Sequence, residues 1–230
     1  MRILRCVLVG MALLAPVAAV ADETARRVSV DGVGRVSVVP DMAVVSLGVQ
    51  REARDAGSAM RAASEAMEGV LARIAEAGIA PDDVQTTRIG LDPRWQHSQD
   101  GSMPRVVGYV ASNDLSVRVR DLSGLGVLLD TVVSDGANTM QGLSFSVAED
   151  AALQDEARVA AVEDAARKAG MLAEAAGATL GEVISISEGG QGGGPVPMFE
   201  AAEAMRSAVP VAAGQVDIVV TVRATFALAN

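Results

Sequence analysis

The chain has 230 residues, a formal charge of −10 and a 50% hydrophobic content, with aromatic residues making up only 2%. That much apolar material excludes a disordered chain, and the length allows one or two small domains. An acidic chain without a basic block argues against nucleic acid or anionic lipid as a partner. Trp95, Tyr109, Phe145, Phe199 and Phe226 are the whole aromatic stock, so the core must be built from Ala, Val, Leu and Met.

Residues 1–21 read as a secretory signal peptide. Arg2 and Arg5 come first, residues 6–14 are apolar, and Ala19-Val20-Ala21 is a small-residue site, with cleavage expected after Ala21. The apolar run is shorter than the roughly 20 residues that span a bilayer, and no later segment is long and apolar enough. The mature chain is therefore expected to be periplasmic, with no integral membrane segment. Cys6, the sole cysteine, would leave with the leader. The mature chain would then hold no disulfide, thiol nucleophile or thiolate ligand, and its core or its oligomerisation must stabilise it.

After a short lead over residues 22–27, residues 28–38 alternate as a strand, with Val28, Val30, Val36 and Val38 in register and Gly32-Val33-Gly34 inside. Pro40-Asp41 breaks it, and residues 42–49 form a second strand. Residues 55–78 predict a helix whose apolar stripe is Met60, Ala63, Met67, Leu71 and Ile74, closed by Gly78. Residues 81–83 are a turn. Residues 84–91 and 106–119 predict strands joined by a polar hairpin loop. In the later strand Val117 and Val119 oppose Ser116, Arg118 and Arg120, as in a sheet with one wet face.

Asp121 is expected to cap a helix carrying Leu122, Leu125, Leu128, Leu129 and Val132, ended by Gly136. Residues 143–147 form a strand. The helix over residues 151–176 is the plainest element: Ala157, Ala161, Ala165, Ala169 and Ala173 recur every four residues, and Glu163–Arg167 and Asp164–Lys168 are favourable pairs on the wet side. Gly177 closes it. Residues 183–187 and 216–228 are strands, the last with Val216, Ile218, Val220 and Val222 on one face. Residues 189–197 read as a flexible Gly/Pro linker, and residues 198–209 as either a short amphipathic helix or disorder. The order of elements gives an α+β chain of layered sheets with helices on one face.

Candidate chemistry is sparse. A dinucleotide fingerprint needs a third glycine at a strand-to-helix turn; here Ser37 follows and the chain continues as a strand, without the helix N-terminus a phosphate needs. Gly32 and Gly34 read instead as a bulge or a close-packing site. His97 is the only histidine, too few for a histidine metal site; with Trp95 it makes a candidate ligand loop. The carboxylate pairs Asp82-Asp83 and Glu149-Asp150 sit at element boundaries, where acids cap turns, and no calcium-loop pattern or G-x-S-x-G is present. Met60 and Met67 read as core filler, while Met198 and Met205 are candidate oxidant scavengers. No catalytic residue, cofactor or metal site is expected.

A pattern does emerge from Gly32, Gly34, Val36, Pro40, Asp41, Ala43, Gly48 and Val49. It continues with GYVASNDLSVRVRD from Gly108, which includes Tyr109 and Asn113. GANTMQGLSFSV follows from Gly136 and includes Asn138, then ARKAGMLAEAAG, ISISEGG and a closing valine strand. Together these resemble the SIMPL-domain family of YggE-like and periplasmic immunogenic proteins, over about residues 28–228. The resemblance implies an α+β fold of two intertwined two-layer α/β sandwich units with antiparallel or mixed sheets. The first unit would span residues 28–120 with the 55–78 helix. The second, ferredoxin-like in outline, would span 121–228 with the two later helices. It implies an exported, non-enzymatic homo-oligomer associated with envelope and oxidative stress, whose motif residues are structural. The alternative reading is a periplasmic module that binds a small molecule or peptide, with the Trp95–His97 loop and the segment over residues 189–209 as its candidates.

Overall fold

The computed structural model describes residues 26–97, 103–189, 196–198 and 211–230. The expected leader, its cleavage site, most of the linker, and Met205 lie outside them. The strands are β1 (Arg27–Val38), β2 (Met42–Ala53), β3 (Val84–Gln96), β4 (Arg105–Val119), β5 (Thr139–Ser146), β6 (Thr179–Glu188), β7 (Val196–Met198) and β8 (Gln215–Ala229). The helices are α1 (Ala56–Glu76), α2 (Leu125–Ser134) and α3 (Ala151–Ala175), and a 3-10 turn covers Pro81–Asp83. This is the expected α+β class.

Two antiparallel sheets organise these elements. One runs β3-β4-β2-β5; the other runs β1-β8-β6, with β7 also on β8. Alternation explains the faces. On β2, Ala43, Val45, Leu47 and Val49 are fully or almost fully buried, and they meet Leu115, Val117 and Val119 of β4 beneath α1 and α2. On β8, Ile218, Val220, Val222, Ala224 and Phe226 turn toward the alanine stripe of α3. In both sheets intervening residues such as Gln50 and Arg223 face away from the helices and are exposed, with Asp217 a buried exception.

The units nest, and the expected boundary at 120/121 does not follow the sheets. β1 pairs along its whole length with β8, from Arg27↔Ala227 to Val38↔Val216, and so belongs with α3. The β2–β5 block is inserted between β1 and α3, and it includes α2, whose Leu125, Leu129 and Val132 share a core with α1. The two later helices therefore lie in different layers. The physical reason is pairing across the full chain: periodicity shows that a segment is a strand but not which strand it meets.

Local corrections are small. The buried stripe of α1 is Ala59, Ala63, Met67, Val70 and Ile74, while Leu71 falls on the groove beside β3 and is 39% exposed. Asp55, not Asp121, is the side-chain cap, accepting the Ser58 N–H at 2.9 Å. Asp121 instead closes a turn, taking the Ser123 N–H and hydroxyl at 3.0 and 2.6 Å, and α2 starts after Gly124. β3 continues to Gln96, so Trp95 stands on a strand opposite Val106 rather than in a loop. Val196–Met198, expected as the end of the linker and the start of the 198–209 segment, pairs with β8; residues 199–209 lie outside the described residues. Asp164 engages both Arg167 (2.5 Å) and Lys168 (2.6 Å). Gly78 (φ +81°) and Gly177 (φ +68°) end their helices as expected.

Candidate functional site

The Gly32-Val33-Gly34 stretch is a packing device. β1 pairs with β8 without a register break, so it holds no bulge. A Cβ on Gly32 would stand 2.0 Å from the Ala161 carbonyl oxygen, and one on Gly34 would stand 1.9 Å from that of Ala157. The two hydrogens, matched by Ala157, Ala161 and Ala165, let helix and strand backbones touch. The close approach brings charge partners to the edge of β1. Val33 N–H donates to Asp164 Oδ2 at 3.0 Å, and Lys168 Nζ donates to the Asp31 carbonyl at 3.0 Å. Lys168, the Val33 amide and Arg167 hold the Asp164 carboxyl far below the usual carboxylate range.

Of the other residues of the pattern, Asp41, Gly136 and Asn138 pin connections, while Gly48, Gly108, Tyr109 and Asn113 lie within β2 and β4. Asp41 Oδ1 accepts the Ala148 N–H at 2.8 Å, tying the β1–β2 connection to the segment before α3; Pro40 beside it is buried. Asn138 grips β2 like an extra peptide unit: its Oδ1 accepts Gln50 N–H at 2.7 Å, its Nδ2 donates to Gln50 O at 3.0 Å, and its own N–H donates to Gly48 O at 3.0 Å. The Gly136 carbonyl takes Arg51 Nη2 at 3.1 Å, with Gly136 at φ +120°. Asp114 Oδ1 and Thr139 Oγ1 crowd the space above Gly48, 2.2 and 2.9 Å from where a Cβ would stand. Gly108 backs onto Ala53 O at 2.9 Å by the same measure, and Tyr109 packs at the rim of the β2–β4 core. Asn113 is half-buried, its Oδ1 without a hydrogen-bond partner among the described residues.

Trp95 and His97 are both exposed near the end of the β3–β4 hairpin, Trp95 at 53%. Between strands, Asp217 is 2% exposed on the β8 face opposite α3, where it accepts Arg35 Nη1 at 2.9 Å and Ser37 Oγ at 2.6 Å. Among the described residues no group of three His, Cys, Asp or Glu side chains is placed to hold a metal ion. No described helix is long and apolar enough to cross a membrane.

One constellation was not anticipated. Asp83, buried at the end of the 3-10 turn, lies between two arginines of β4 and the residue after it. Arg118 Nε approaches Asp83 Oδ1 at 3.1 Å. Arg120 grips the same carboxylate side-on, Nε to Oδ2 at 3.0 Å and Nη2 to Oδ1 at 3.1 Å. Arg118 Nη2 also donates to the Asp82 carbonyl at 2.6 Å. The Arg120 hydrogen bond, ahead of the charges of both arginines, holds the Asp83 carboxyl below its ordinary value. These groups wall a cleft of about 360 Å³ between the end of α1, the end of β4 and the start of α2. The sequence showed the acid pair and the alternating arginines, but not that they meet.

Nested antiparallel sheets, each layered with helices on one face and locked by glycine and Asx contacts, define the class: an α+β protein whose recognisable motif serves its scaffold. The chain belongs to the SIMPL family, described as a protein of unknown function (DUF541), which it matches over residues 28–226. It is 38% identical over 209 residues to the 26 kDa periplasmic immunogenic protein of Brucella melitensis, covering 87% of this chain and 84% of that one. It is 30% identical over 182 residues to the uncharacterized protein YggE of Escherichia coli K12, covering 79% and 72%.

Proposed function

We propose that the protein is an exported, periplasmic, non-enzymatic SIMPL protein that assembles into a homo-oligomer and contributes to envelope and oxidative stress tolerance. The periplasmic name of the Brucella relative supports the location, as does the leader-like start of the sequence. The observation that carries assembly is the edge of the β3-β4-β2-β5 sheet. β3 is an edge strand of 13 residues. Its Ile89, Leu91 and Trp95 are 64%, 41% and 53% exposed. An edge strand of this length, with these three apolar side chains on it, offers unpaired N–H and C=O groups to a second chain. The edge of β1, by contrast, already spends its Val33 N–H on Asp164. A structural role also fits the carboxylates: Asp31, Asp83 and Asp164 are each lowered by cationic partners, which keeps them ionised rather than poised to donate a proton.

A deletion strain complemented with the wild-type gene or with an Ile89→Lys/Leu91→Lys variant tests this. The wild type should restore peroxide survival, and the charged edge should not. Equal survival of the deletion strain and its parent would remove the stress role. The second reading, a binding module, rests on the exposed Trp95 beside His97, since an exposed indole is an efficient contact surface. It predicts a Trp95 fluorescence change on ligand addition that is lost in Trp95→Ala/His97→Ala.

A further inference from the structure

We propose that the cleft between the end of α1, the end of β4 and the start of α2 binds a small zwitterion with an aliphatic side chain, of the chemical class of the free α-amino acids. The proposal is separate from the assembly reading and from the Trp95 surface. The cleft's volume of about 360 Å³ lies within the range of small-molecule sites. Its apolar lining is aliphatic: Ala77, Ile79, Val119 and Leu128. Among the described residues nothing aromatic lines it to stack a planar ring.

Its polar rim carries both signs. Arg118 and Arg120, both held on Asp83, line the cleft together with Asp121, and Asp41 adds a further negative charge acting on Arg120, so an isolated anion gains no net attraction from these groups. A ligand with both charges does gain, if each end finds its opposite. The donors for a carboxylate are in place. Both guanidinium groups are oriented by Asp83, so ordering them costs little on binding. Each has five N–H groups, and neither Nη1 makes a hydrogen bond to any described residue; the bonds of Arg118 use Nε and Nη2, as do those of Arg120. α2 begins at the same rim with no side-chain cap and no acid in its first turn. Its first N–H groups therefore add positive potential toward the cleft.

The acceptor for an ammonium is Asp121. Its Oδ1 is committed to Ser123, N–H and hydroxyl. Its Oδ2 makes no hydrogen bond to a described side chain and lies toward Gly124, 3.4 Å from where a Cβ on that residue would stand. The Ser123 hydroxyl, and then its amide, hold Asp121 below the ordinary carboxylate range, so it is charged throughout the neutral range. The turn that orients Asp121 thus leaves Oδ2, on the side of the Gly124 N–H that also lowers this carboxyl, without a described side-chain partner at the mouth of an aliphatic cleft.

Calorimetric titration of the full mature chain with L-leucine tests the assignment. Two analogues accompany it: 4-methylpentanoate, which lacks the amine, and 3-methylbutylamine, which lacks the carboxylate. Asp121→Asn keeps the Ser123 turn and removes only the charge, so its circular dichroism should match the wild type. Leucine should bind saturably, and each analogue should bind roughly tenfold more weakly or worse. Asp121→Asn should weaken leucine by a similar factor. Arg120→Gln should do the same where its fold is intact. Absence of saturable heat up to about 10 mM leucine overturns the site. Equal affinity for 4-methylpentanoate, or unchanged affinity in a natively folded Asp121→Asn protein, overturns its assignment to a zwitterion.

Discussion

Replacing Gly34 by alanine tests the closest approach made by any described glycine. The new methyl carbon would stand 1.9 Å from the Ala157 carbonyl oxygen and 2.5 Å from the Ala161 nitrogen. Comfortable contact begins near 3.5 Å, so α3 must retreat from β1 by roughly 1.5 Å. The obstacle is helix backbone, which cannot rotate aside as a side chain could. The retreat withdraws Ala157, Ala161 and Ala165 from Ile218, Val220 and Val222 and stretches the 3.0 Å Val33–Asp164 bond. Overpacking of this kind costs about 1–3 kcal/mol, and contact with backbone places it at the upper end. For a chain of this size that corresponds to a Tm lower by roughly 6–12 °C. Thermal unfolding followed by circular dichroism, with urea midpoints beside it, reads the effect. Two controls fix the scale. Gly142→Ala meets nothing within 4 Å and should stay within about 0.5 kcal/mol. Gly170→Ala sits within α3 with its nearest neighbour, Leu180 Cδ2, at 4.0 Å, and should gain about 0.5–1 kcal/mol. A Gly34→Ala protein as stable as the wild type would refute the close approach of α3 to β1.

Asn138→Ala removes both hydrogen bonds to Gln50 and should cost about 1–2 kcal/mol in urea unfolding; Asn138→Asp, which keeps the acceptor but not the donor, should fall between. Asp217→Ala leaves the Ser37 hydroxyl and Arg35 without their buried acceptor and should cost about 2 kcal/mol, read from the urea midpoint at constant m-value. The acid response follows from five carboxyls lowered in the folded chain: Asp31 by Arg223, Asp55 by the Ser58 N–H, Asp83 by Arg120, Asp121 by the Ser123 hydroxyl and Asp164 by Lys168. Because the unfolded chain takes up these protons first as pH falls, their contribution is complete above about pH 4 and is lost below it. A urea midpoint that held level from pH 4 down to about pH 2 would contradict that assignment.

The sequence made some levels of this structure legible and hid others for a physical reason. The five alanines of α3 and the valine alternation of β8 announce both the elements and their buried faces, because periodicity is local. The stripe of α1 was displaced at two positions, Ala59 for Met60 and Val70 for Leu71, because a sheet tolerates small residues at closest approach and lets a larger one slide to the rim. Strand pairing was not legible. Nothing local in residues 27–38 says that their partner lies at 216–227, and the nesting of the two sheets depends on that one register. The Gly-x-Gly was read as a bulge or a close-packing site, and it is the latter, yet the helix that needs it lies over a hundred residues downstream. The Asp83–Arg118–Arg120 cluster was hidden for the same reason, since it joins a turn to the end of a strand 35 and 37 residues later.

Assembly is the central claim about function, and the native mass of residues 22–230 tests it most directly. Multi-angle light scattering across a wide concentration series should give one discrete mass several times that of the chain, with Ile89→Lys/Leu91→Lys reducing it. A wild-type protein that remained monomeric at every concentration would contradict the account.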